Sequence, residues 1–349
     1  MHRPLALLLL LFLLALPAGP LLAQCAVGSV QFENDIGLGG TDRHYTHGTR
    51  VSCISETQGT TAGMRRFADR AGFDMFGARM LDASGDVRYS LAFGQTMFTP
   101  EDIGQYDVRE DERPYAGWLF GTFGLVLGPS WQSPDTSAAF ARLETIELTL
   151  GMVGPASGAE YAQKFVHSVL GADNPEGWHN QLRNEPGIML AYEHKWRTGS
   201  WRLPVVNGLE VDMMPSLGAT VGNIHTFAST SATFRIGNRL GNDFGPPRIR
   251  PSVAGSEYYD PTPGETLGAY LFFSIGGRAV ARNIFLDGNS FVDSHSVDRT
   301  ILVGDIQVGA VMSLWGRARL SLTHIFRTKE FEEQDGIDQF SAFSLSFLF

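Results

Sequence analysis

The sequence predicts an all-β protein: a transmembrane antiparallel β-barrel of about twelve strands, with one short helix inserted toward the lumen. In the last seven residues every second position is apolar: Phe343, Leu345, Phe347 and Phe349. In a soluble domain this apolar face would be an aggregation hazard. In a barrel it meets lipid, and closure leaves the strand no free edge. After residue 23 no apolar run is long enough for a membrane helix, so strands must make any crossing.

The amino terminus has the layout of a secretory signal peptide. A positive start at Arg3 precedes an unbroken apolar run from 5 to 16, and small residues lead to Ala23. We therefore predict a signal peptide at 1–23 and a single barrel domain at 24–349. A lipoprotein acylated at Cys25 is the alternative, although Gln24 is bulkier than the residue that usually precedes a lipidated cysteine. The aromatic last residue resembles the insertion signal of bacterial outer-membrane proteins.

Charge and composition exclude two classes of protein. The formal net charge is −10, so the basic footprint of a nucleic-acid-binding protein is absent. The mean hydropathy of −0.05, with 40 glycines, is too polar for a helical membrane protein. It suits a barrel, in which only alternate residues of each strand face lipid.

Segments of period two mark the strands. They are predicted at 27–34, 45–55, 87–97, 115–128, 138–152, 186–197, 204–218, 226–238, 267–286, 301–315, 317–328 and 339–349. In one of them Ile306, Val308 and Met312 should face lipid, while Gln307 and Ser313 should face the lumen. Longer connectors rich in Gly, Pro, Asp and Arg are predicted to be extracellular loops: 56–86, 98–114, 239–266 and 287–300.

One segment, 155–171, has helical rather than strand spacing. Its apolar residues recur every three or four positions, at Ala162, Phe165, Val166 and Val169. Ser157 and Glu160 form a capping-box pattern at its start, and Gly171 is suited to end it. Gln163 and His167 lie four apart and therefore project side by side. Because a lone helix with His and Gln has little structural purpose inside a small barrel, its polar face is a candidate site.

The two cysteines, Cys25 and Cys53, can pair in an exported protein, and two unpaired thiols are the alternative. Their midpoint falls on Gly39-Gly40, a natural turn. A hairpin centred there places the cysteines opposite one another and sets Asn34 and Asp35 beside His44 and Tyr45.

Five strings with chemical potential occur in order along the chain. They are Glu33-Asn34-Asp35, Tyr45-Thr46-x-Gly48, Arg113-Pro114-Tyr115-Ala116-Gly117-Trp118, Gln163-x-x-x-His167 and Gly177-Trp178-x-Asn180-Gln181. Each alone is weakly specific. Together they resemble the lipid A 3′-O-deacylase family of Gram-negative outer membranes, and the resemblance covers essentially the whole mature chain.

This resemblance implies a calcium-dependent esterase in the outer membrane, surrounded by its lipids. We expect a monomer, although the sequence does not determine the oligomeric state. The esterase would release the 3′-linked acyloxyacyl chain of lipid A, within lipopolysaccharide, at a site between the barrel wall and the helix. Residues carried over by motif are, for catalysis, His167, Gln163, Asn34 and Thr46, and, for calcium, Asp35, Asn34, Thr46 and Asp173. Where the family has an active-site lysine, the segment from Glu101 to Glu112 has none. Gln105 stands at the position that best matches the family lysine. The positive charge would come from Arg109 or Arg113, or calcium alone would stabilise the oxyanion.

The implied chemistry fits the residue types. Histidine exchanges protons near neutral pH, so His167 can activate a water molecule for ester hydrolysis without an acyl-enzyme. Gln163 can orient the imidazole or the water. Asn34, Asp35 and Thr46 offer the hard oxygen ligands that calcium prefers, and the ion would polarise the ester carbonyl. In a regular strand Asn34 and Asp35 face opposite sides, so the strand must end or bulge there for both to serve one site.

Two other functions and one other metal compete. An outer-membrane phospholipase A would need a serine nucleophile, and Ser168 adjoins His167 in a position that is poor for a side-chain hydrogen bond. A passive pore or structural barrel would explain the strands but not the helix. Zinc would need a cluster such as H-E-x-x-H, which the nine histidines do not form.

Overall fold

Twelve strands form one closed antiparallel barrel in the computed structural model, which describes residues 25–35, 44–56, 62–75, 78–81, 85–131, 140–203, 208–249, 256–261 and 264–349. The barrel strands are β1 (Cys25–Asn34), β2 (His44–Ser55), β5 (Val87–Thr99), β6 (Ala116–Trp131), β7 (Phe140–Val153), β8 (Glu185–Thr198), β10 (Glu210–Gly222), β11 (His225–Gly237), β12 (Leu267–Asn283), β13 (Leu302–Leu314), β14 (Ala318–Arg327) and β15 (Asp338–Leu348). The predicted antiparallel barrel of about twelve strands is confirmed.

The barrel closes where the last strand pairs with the first. Phe343 on β15 lies opposite Phe32 on β1, and the ladder continues for eight residue pairs. Side chains alternate as predicted on β13, where Ile306 and Val308 are exposed and Gln307 is buried. Because closure pairs both edges of every barrel strand, the aromatic carboxyl-terminal strand leaves no unpaired edge.

The remaining elements are short. A small hairpin, β3 (Phe73–Met75) and β4 (Ala78–Met80), and a two-residue strand, β9 (Trp201–Arg202), complete the strands. The helices are α1 (Ala62–Ala71), α2 (Ala159–Leu170) and α3 (Ile284–Asp287). None of the helices in the described part of the chain is long and apolar enough to cross a membrane.

Successive connectors lie at alternate ends of the barrel, because its neighbouring strands are antiparallel. We call the end that holds Cys25 and Phe349 the terminal end, and the opposite one the helix end. Connectors 98–114 and 287–300 lie at the helix end, whereas 56–86 and 239–266 lie at the terminal end. The prediction that all four are extracellular was therefore wrong, since composition does not reveal strand direction. The predicted signal peptide, 1–23, lies outside the described residues.

The connector between β11 and β12 folds back into the lumen. Arg248 Nε donates to Glu33 Oε1 at 2.6 Å, and the Ile249 backbone N–H donates to the same oxygen at 3.0 Å. Closer to the terminal end of the lumen, Arg319 lies 3.3 Å from Asp243. The Ile249 side chain packs in a core shared by β2, β5 and β15. The connector therefore occupies lumen space that a passive pore would need.

A disulfide joins Cys25 to Cys53 across β1 and β2, with the two Cα atoms 5.5 Å apart. The bond takes up the Sγ atom that acylation of Cys25 would need. The predicted register of this hairpin was nevertheless wrong, because Asn34 lies opposite His47 rather than beside His44. The ladder shifts between Cys25 and Val27, so a hairpin measured symmetrically from the cysteines gives the wrong partners.

Removal of the Glu33 carboxylate should destabilise the barrel strongly. In Glu33→Ala the buried Arg248 charge loses its partner, and we expect the free energy of unfolding to fall by about 3–5 kcal/mol. Ser29→Ala is the matched control on the same face of β1, since it loses one Oγ–Oγ hydrogen bond of 2.8 Å to Ser346. That control should cost about 1 kcal/mol. Denaturant unfolding in detergent measures both, and equal losses would contradict a special role for the ion pair.

Candidate active site on the outer wall of the barrel

Strand β1 ends between the first two predicted site residues. Asn34 is its last residue, and Asp35 lies in the following turn and is buried. The alternation of side chains along a strand therefore no longer forces them to opposite faces. Asn34 Nδ2 donates a hydrogen bond of 2.9 Å to the backbone carbonyl of Thr46. The structure thus joins the two motifs of the β1–β2 hairpin directly.

Thr46 occupies a β-bulge. Tyr45 pairs with Phe98 and His47 pairs with Met97, so Thr46 has no opposite residue on β5. Bulges re-aim a side chain and are common next to active sites. The Thr46 hydroxyl lies 2.7 Å from the hydroxyl of the buried Thr99. Thr99 belongs to none of the five strings, so no sequence motif indicated this contact.

The inserted helix, α2, packs against the outer wall, the lipid-facing surface of the barrel. Phe93 on β5 is 60% exposed and marks the outer face of that strand, which Met97 shares by alternation. Met97 packs with Ala159 and Trp178. A Cβ atom on Gly117 of β6 would overlap Ser157 Oγ and the Ala159 Cβ.

The prediction of a helix inserted toward the lumen was therefore wrong. The lumen beside β5 is already filled, because Phe98 stacks on Phe285 there at 4.1 Å between ring centroids. On the outer side, Gly117 leaves a flat surface on which a helix can lie closely, and Gln95 Nε2 donates to the Ser157 carbonyl at 2.7 Å.

The ends of α2 agree only in part with the sequence. Gly171 ends it in the left-handed conformation, with φ of 71°, as predicted. The predicted capping box is wrong, because Gly158 is the N-cap and no side chain caps the helix. The Ser157 hydroxyl instead donates to the Gly154 carbonyl at 2.6 Å, within a short 3-10 turn at Pro155–Ser157.

The helix has its polar face inward and its apolar face outward. Gln163 and His167 are each only 3% exposed. Phe165 is 57% exposed, and the other large apolar side chains of this face are also exposed: Tyr161, Val166 and Val169. A helix in water has the opposite arrangement. The outer face of α2 is therefore suited to contact lipid.

A backbone carbonyl orients His167. Its Nδ1 lies 2.5 Å from the carbonyl oxygen of Asp173. Since a carbonyl only accepts, Nδ1 carries the proton, and in the neutral ring Nε2 holds the lone pair. The carboxylate of Asp173 is exposed, so the contact of this residue with His167 runs through its backbone.

The side-chain amide of Gln163 is fixed by Trp178. Trp178 Nε1 donates to Gln163 Oε1 at 2.7 Å. Gln163 Nε2 is buried and has no hydrogen-bond partner among the described residues. With its oxygen already engaged, the amide can offer N–H groups to a ligand. Trp178 stands in one of the five strings, which is the signal that could have revealed it, whereas a backbone contact such as that of Asp173 leaves no trace in residue identity.

The loop after β5 is attached to the loop after α2. The Glu176 backbone N–H donates to the Ile103 carbonyl at 2.8 Å, and Asn180 Nδ2 donates to the Tyr106 carbonyl at 2.7 Å. The rings of Tyr106 and His179 stack, with centroids 3.9 Å apart. These contacts bring the segment that lacks the family lysine to the same end of the helix as His167.

The three candidates for the replacement of that lysine lie in different surroundings. Gln105 is exposed and donates to Asp102 at 3.2 Å, and the partly exposed Arg109 pairs with Asp111. Arg113 is fully buried over the lumen-facing ring of Phe98, with its guanidinium carbon 4.8 Å from the centroid. Of the alternatives left open by the sequence, Arg113 is therefore disfavoured, because its charge lies in the lumen.

Arg113 is part of a buried charge cluster at the helix end of the lumen. It lies 3.4 Å from Glu330, which also pairs with Arg278 at 2.9 Å. Burial by itself would raise the pKa of the Glu330 carboxyl, but Arg327, Arg278 and Arg113 outweigh it and lower that pKa to about 2. The cluster stays ionised at neutral pH and helps to fill the lumen.

Two further sites considered from the sequence gain no support. Ser168 is exposed and its hydroxyl donates to the Phe165 carbonyl at 2.8 Å, within its own helix. In the parts of the chain that the structure describes, no group of three or more His, Cys, Asp or Glu residues could hold a metal ion.

A methyl group at Gly117 should displace the helix from the wall. We expect Gly117→Ala to weaken the docking of 154–184 by about 1–3 kcal/mol, because the added Cβ overlaps Ser157 and Ala159. Gly121→Ala is the matched control on the same face of β6, where the nearest atom to a Cβ is 3.8 Å away. Limited proteolysis of the folded barrel measures the effect. Equal resistance in both variants would contradict close packing at Gly117.

A family model identifies the family, and a solved structure supports the fold. The profile described as "Outer membrane protein LpxR" matches residues 6–349. LpxR from Salmonella typhimurium has the same fold, with a TM-score of 0.68 and 18% sequence identity over 93% of this chain and 100% of that chain. The β domain of the Bordetella autotransporter BrkA gives a TM-score of only 0.41 at 8% identity, over 93% of this chain and 100% of that one. A search of curated protein sequences gave no match. The chain belongs to the LpxR family of outer-membrane proteins, the lipid A 3′-deacylase family that its five motifs resemble.

Proposed function

We propose that this protein is a calcium-dependent esterase that hydrolyses the 3′-O-linked acyloxyacyl chain of lipid A in the outer membrane. A water molecule activated by His167 would attack the ester, with no acyl-enzyme. One observation carries this proposal. His167 is oriented by the Asp173 carbonyl on a helix whose polar face is buried against the lipid-facing wall, next to Trp178 and Gln163.

The position of the site suits a substrate that lies in a membrane. Met97, beneath α2, is on the outer face of β5, so the site lies between the wall and lipid rather than in the lumen. The exposed Phe165 shows that the outside of the helix is also compatible with acyl chains. A lipid in the leaflet at the helix end can approach sideways, with its headgroup above and its chains alongside.

His167 can carry the proton through both halves of the reaction. Its Nε2 accepts a proton from water, and the water oxygen attacks the ester carbonyl carbon. When the tetrahedral intermediate collapses, the bond between the acyl carbon and the 3′-oxygen of the sugar breaks. The imidazolium then returns the proton to that departing oxygen. The products are a free carboxylic acid and the 3′-hydroxyl. Throughout, the bond from Nδ1 to Asp173 holds the tautomer.

Gln163 and the β1–β2 hairpin can stabilise the charge that develops. Gln163 Nε2 is a donor in a buried site, which is suited to an oxyanion. The hairpin offers oxygens from Asp35, Thr46 and the amide of Asn34, whose Nδ2 is already engaged. This set of one carboxylate and neutral oxygens fits calcium. Bound calcium would polarise the ester carbonyl and offset its negative charge.

Two alternatives are weaker on specific observations. A serine-dependent phospholipase would need a nucleophile beside His167, and the hydroxyl of Ser168 is bonded to its own helix. A passive pore would need an open lumen, and the connector that carries Arg248 and Ile249 occupies it.

Loss of the His167 imidazole should abolish deacylation. In His167→Ala we expect the rate to fall by about 10²- to 10⁴-fold, the usual contribution of a general base. Ser168→Ala, one residue away, should retain the wild-type rate. Mass spectrometry of lipid A from expressing cells reports the loss of the 3′-acyloxyacyl mass, and heat-modifiable migration confirms that each barrel is folded. Full activity in His167→Ala would overturn the proposal.

Calcium removal should also stop the reaction, and calcium should restore it. If Asp35 is a ligand, Asp35→Ala should raise the calcium concentration required by roughly tenfold or more, because ligand charge tunes affinity. Asp173→Ala separates the two roles considered for that residue. It should leave the calcium requirement unchanged if only the backbone carbonyl acts, and raise it if the carboxylate is a fourth ligand. The calcium-dependent rise in unfolding temperature provides a second readout, and activity in excess chelator would contradict the calcium assignment.

A further inference from the structure

A second helix lies on the outer wall, at the opposite end from the candidate site. Helix α1 places Ala68, which is 2% exposed, against Val87 and Leu127. Val87 is the first residue of β5, and Leu127 lies near the end of β6, so the contact is at the terminal end. Tyr192, partly buried on the outside of β8, packs against the same cluster.

A buried polar anchor fixes the segment that carries this helix. The backbone N–H of Leu81 donates to Glu144 Oε1 at 2.9 Å, and the same oxygen binds Tyr192 and His194. Glu144 lies on the same face of β7 as the exposed Leu150, which is the lipid-facing one. A carboxylate there needs cover from the hydrocarbon. The connector provides that cover, and this holds α1 close to the membrane.

The face of α1 that points away from the wall is basic and aromatic. Arg66 and Arg70 are four residues apart, so they project side by side, and both are exposed. Phe67, beside them, is 55% exposed. Neither arginine has a hydrogen bond or ion pair within the described ranges. Like charges at this spacing repel one another and destabilise a helix unless an anion joins them.

The position of α1 matches the boundary between lipid and water. Three large aromatic side chains are exposed at the terminal end: Trp201, Trp315 and Phe349. Aromatic residues mark the interface levels of membrane proteins. The chain as a whole carries a net charge of −10, yet α1 has three arginines against one aspartate. A basic face at the headgroup level, in an otherwise acidic protein, is complementary to anionic lipid.

We infer that α1 binds an anionic phospholipid of the leaflet at the terminal end. The guanidinium groups of Arg66 and Arg70 pair with its phosphate, since guanidinium matches phosphate geometry. Phe67 inserts among the neighbouring acyl chains. This second lipid site goes beyond deacylation. Only the identity of the leaflet rests on the proposed function, which places lipid A at the helix end and phospholipid at the other.

The test uses the full chain in nanodiscs and needs no lipid A. Wild type and Arg66→Gln/Arg70→Gln are reconstituted in phosphatidylcholine mixed with an equal share of phosphatidylglycerol, and native mass spectrometry counts the retained lipids. Wild type should retain phosphatidylglycerol in preference to phosphatidylcholine. The double variant should lose that preference by roughly tenfold or more, since each basic residue near a membrane surface adds substantially to binding.

Arg317→Gln is the matched control, because Arg317 is an exposed arginine of the β13–β14 turn at the same end. It should behave as wild type. Equal phosphatidylglycerol retention in wild type and the double variant would overturn the inference, and so would an equal loss in Arg317→Gln, which would show a general charge effect. Arg66→Lys/Arg70→Lys should recover part of the preference, because it keeps the charge without the planar fork. Unchanged lipid A in a deacylation assay would refute the proposed function without affecting this result.

Discussion

Backbone hydrogen bonding in hydrocarbon is the constraint on which the rest of this structure depends. Lipid offers no partner for an N–H or C=O group, so every strand must pair on both edges and the sheet must close. Closure of β15 onto β1 meets this requirement. It also divides the chain into an outer surface that meets lipid and an inner one that does not. Each helix, loop and ion pair then has its position relative to that wall.

On the inner surface of the barrel, charged groups are buried in the lumen. Charges in the lumen are paired with opposite charges rather than left to water, as Arg235 is with Asp212 and Asp243. A pair of this kind is held in place mainly because loss of either member would leave a buried charge. The connector carrying Arg248 contributes to the same network from the terminal end. The interior is therefore a packed core in which paired polar side chains lie beside apolar ones such as Ile249 and Phe98.

Much of the fold could be predicted from the sequence because lipid enforces strict alternation. All twelve strands were located, and β13 faces lipid with the expected residues. Helix α2 was also predicted, but its position on the outer rather than the inner side of the barrel wall was not. Apolar residues on one face of a helix, such as Phe165, form its packed face only when the surroundings are water. In lipid the same pattern means the reverse, and local periodicity cannot say which solvent surrounds a segment.

The candidate site, like the fold, could be predicted from the sequence only in part. The motif resemblance proposed Asn34, Thr46, Gln163 and His167 as candidates, and the structure joins the first two by one hydrogen bond. Residue identity was not enough for the bulge at Thr46, which depends on pairing with β5. It could not reveal the Asp173 carbonyl, because a backbone group is the same in every residue. It left Arg113 open as a source of positive charge in the site, since a charge next to a strand can turn to either surface.

The position of α2 on the outside of the barrel affects how ligands come and go. A site open to the side is reached by two-dimensional diffusion, so its occupancy follows the surface density of a lipid rather than any concentration in water. A lipid can reach such a site without any separation of the barrel strands. A released fatty acid would remain in the bilayer and leave by the same route. The surrounding membrane would thus act as both the reservoir and the sink of the reaction.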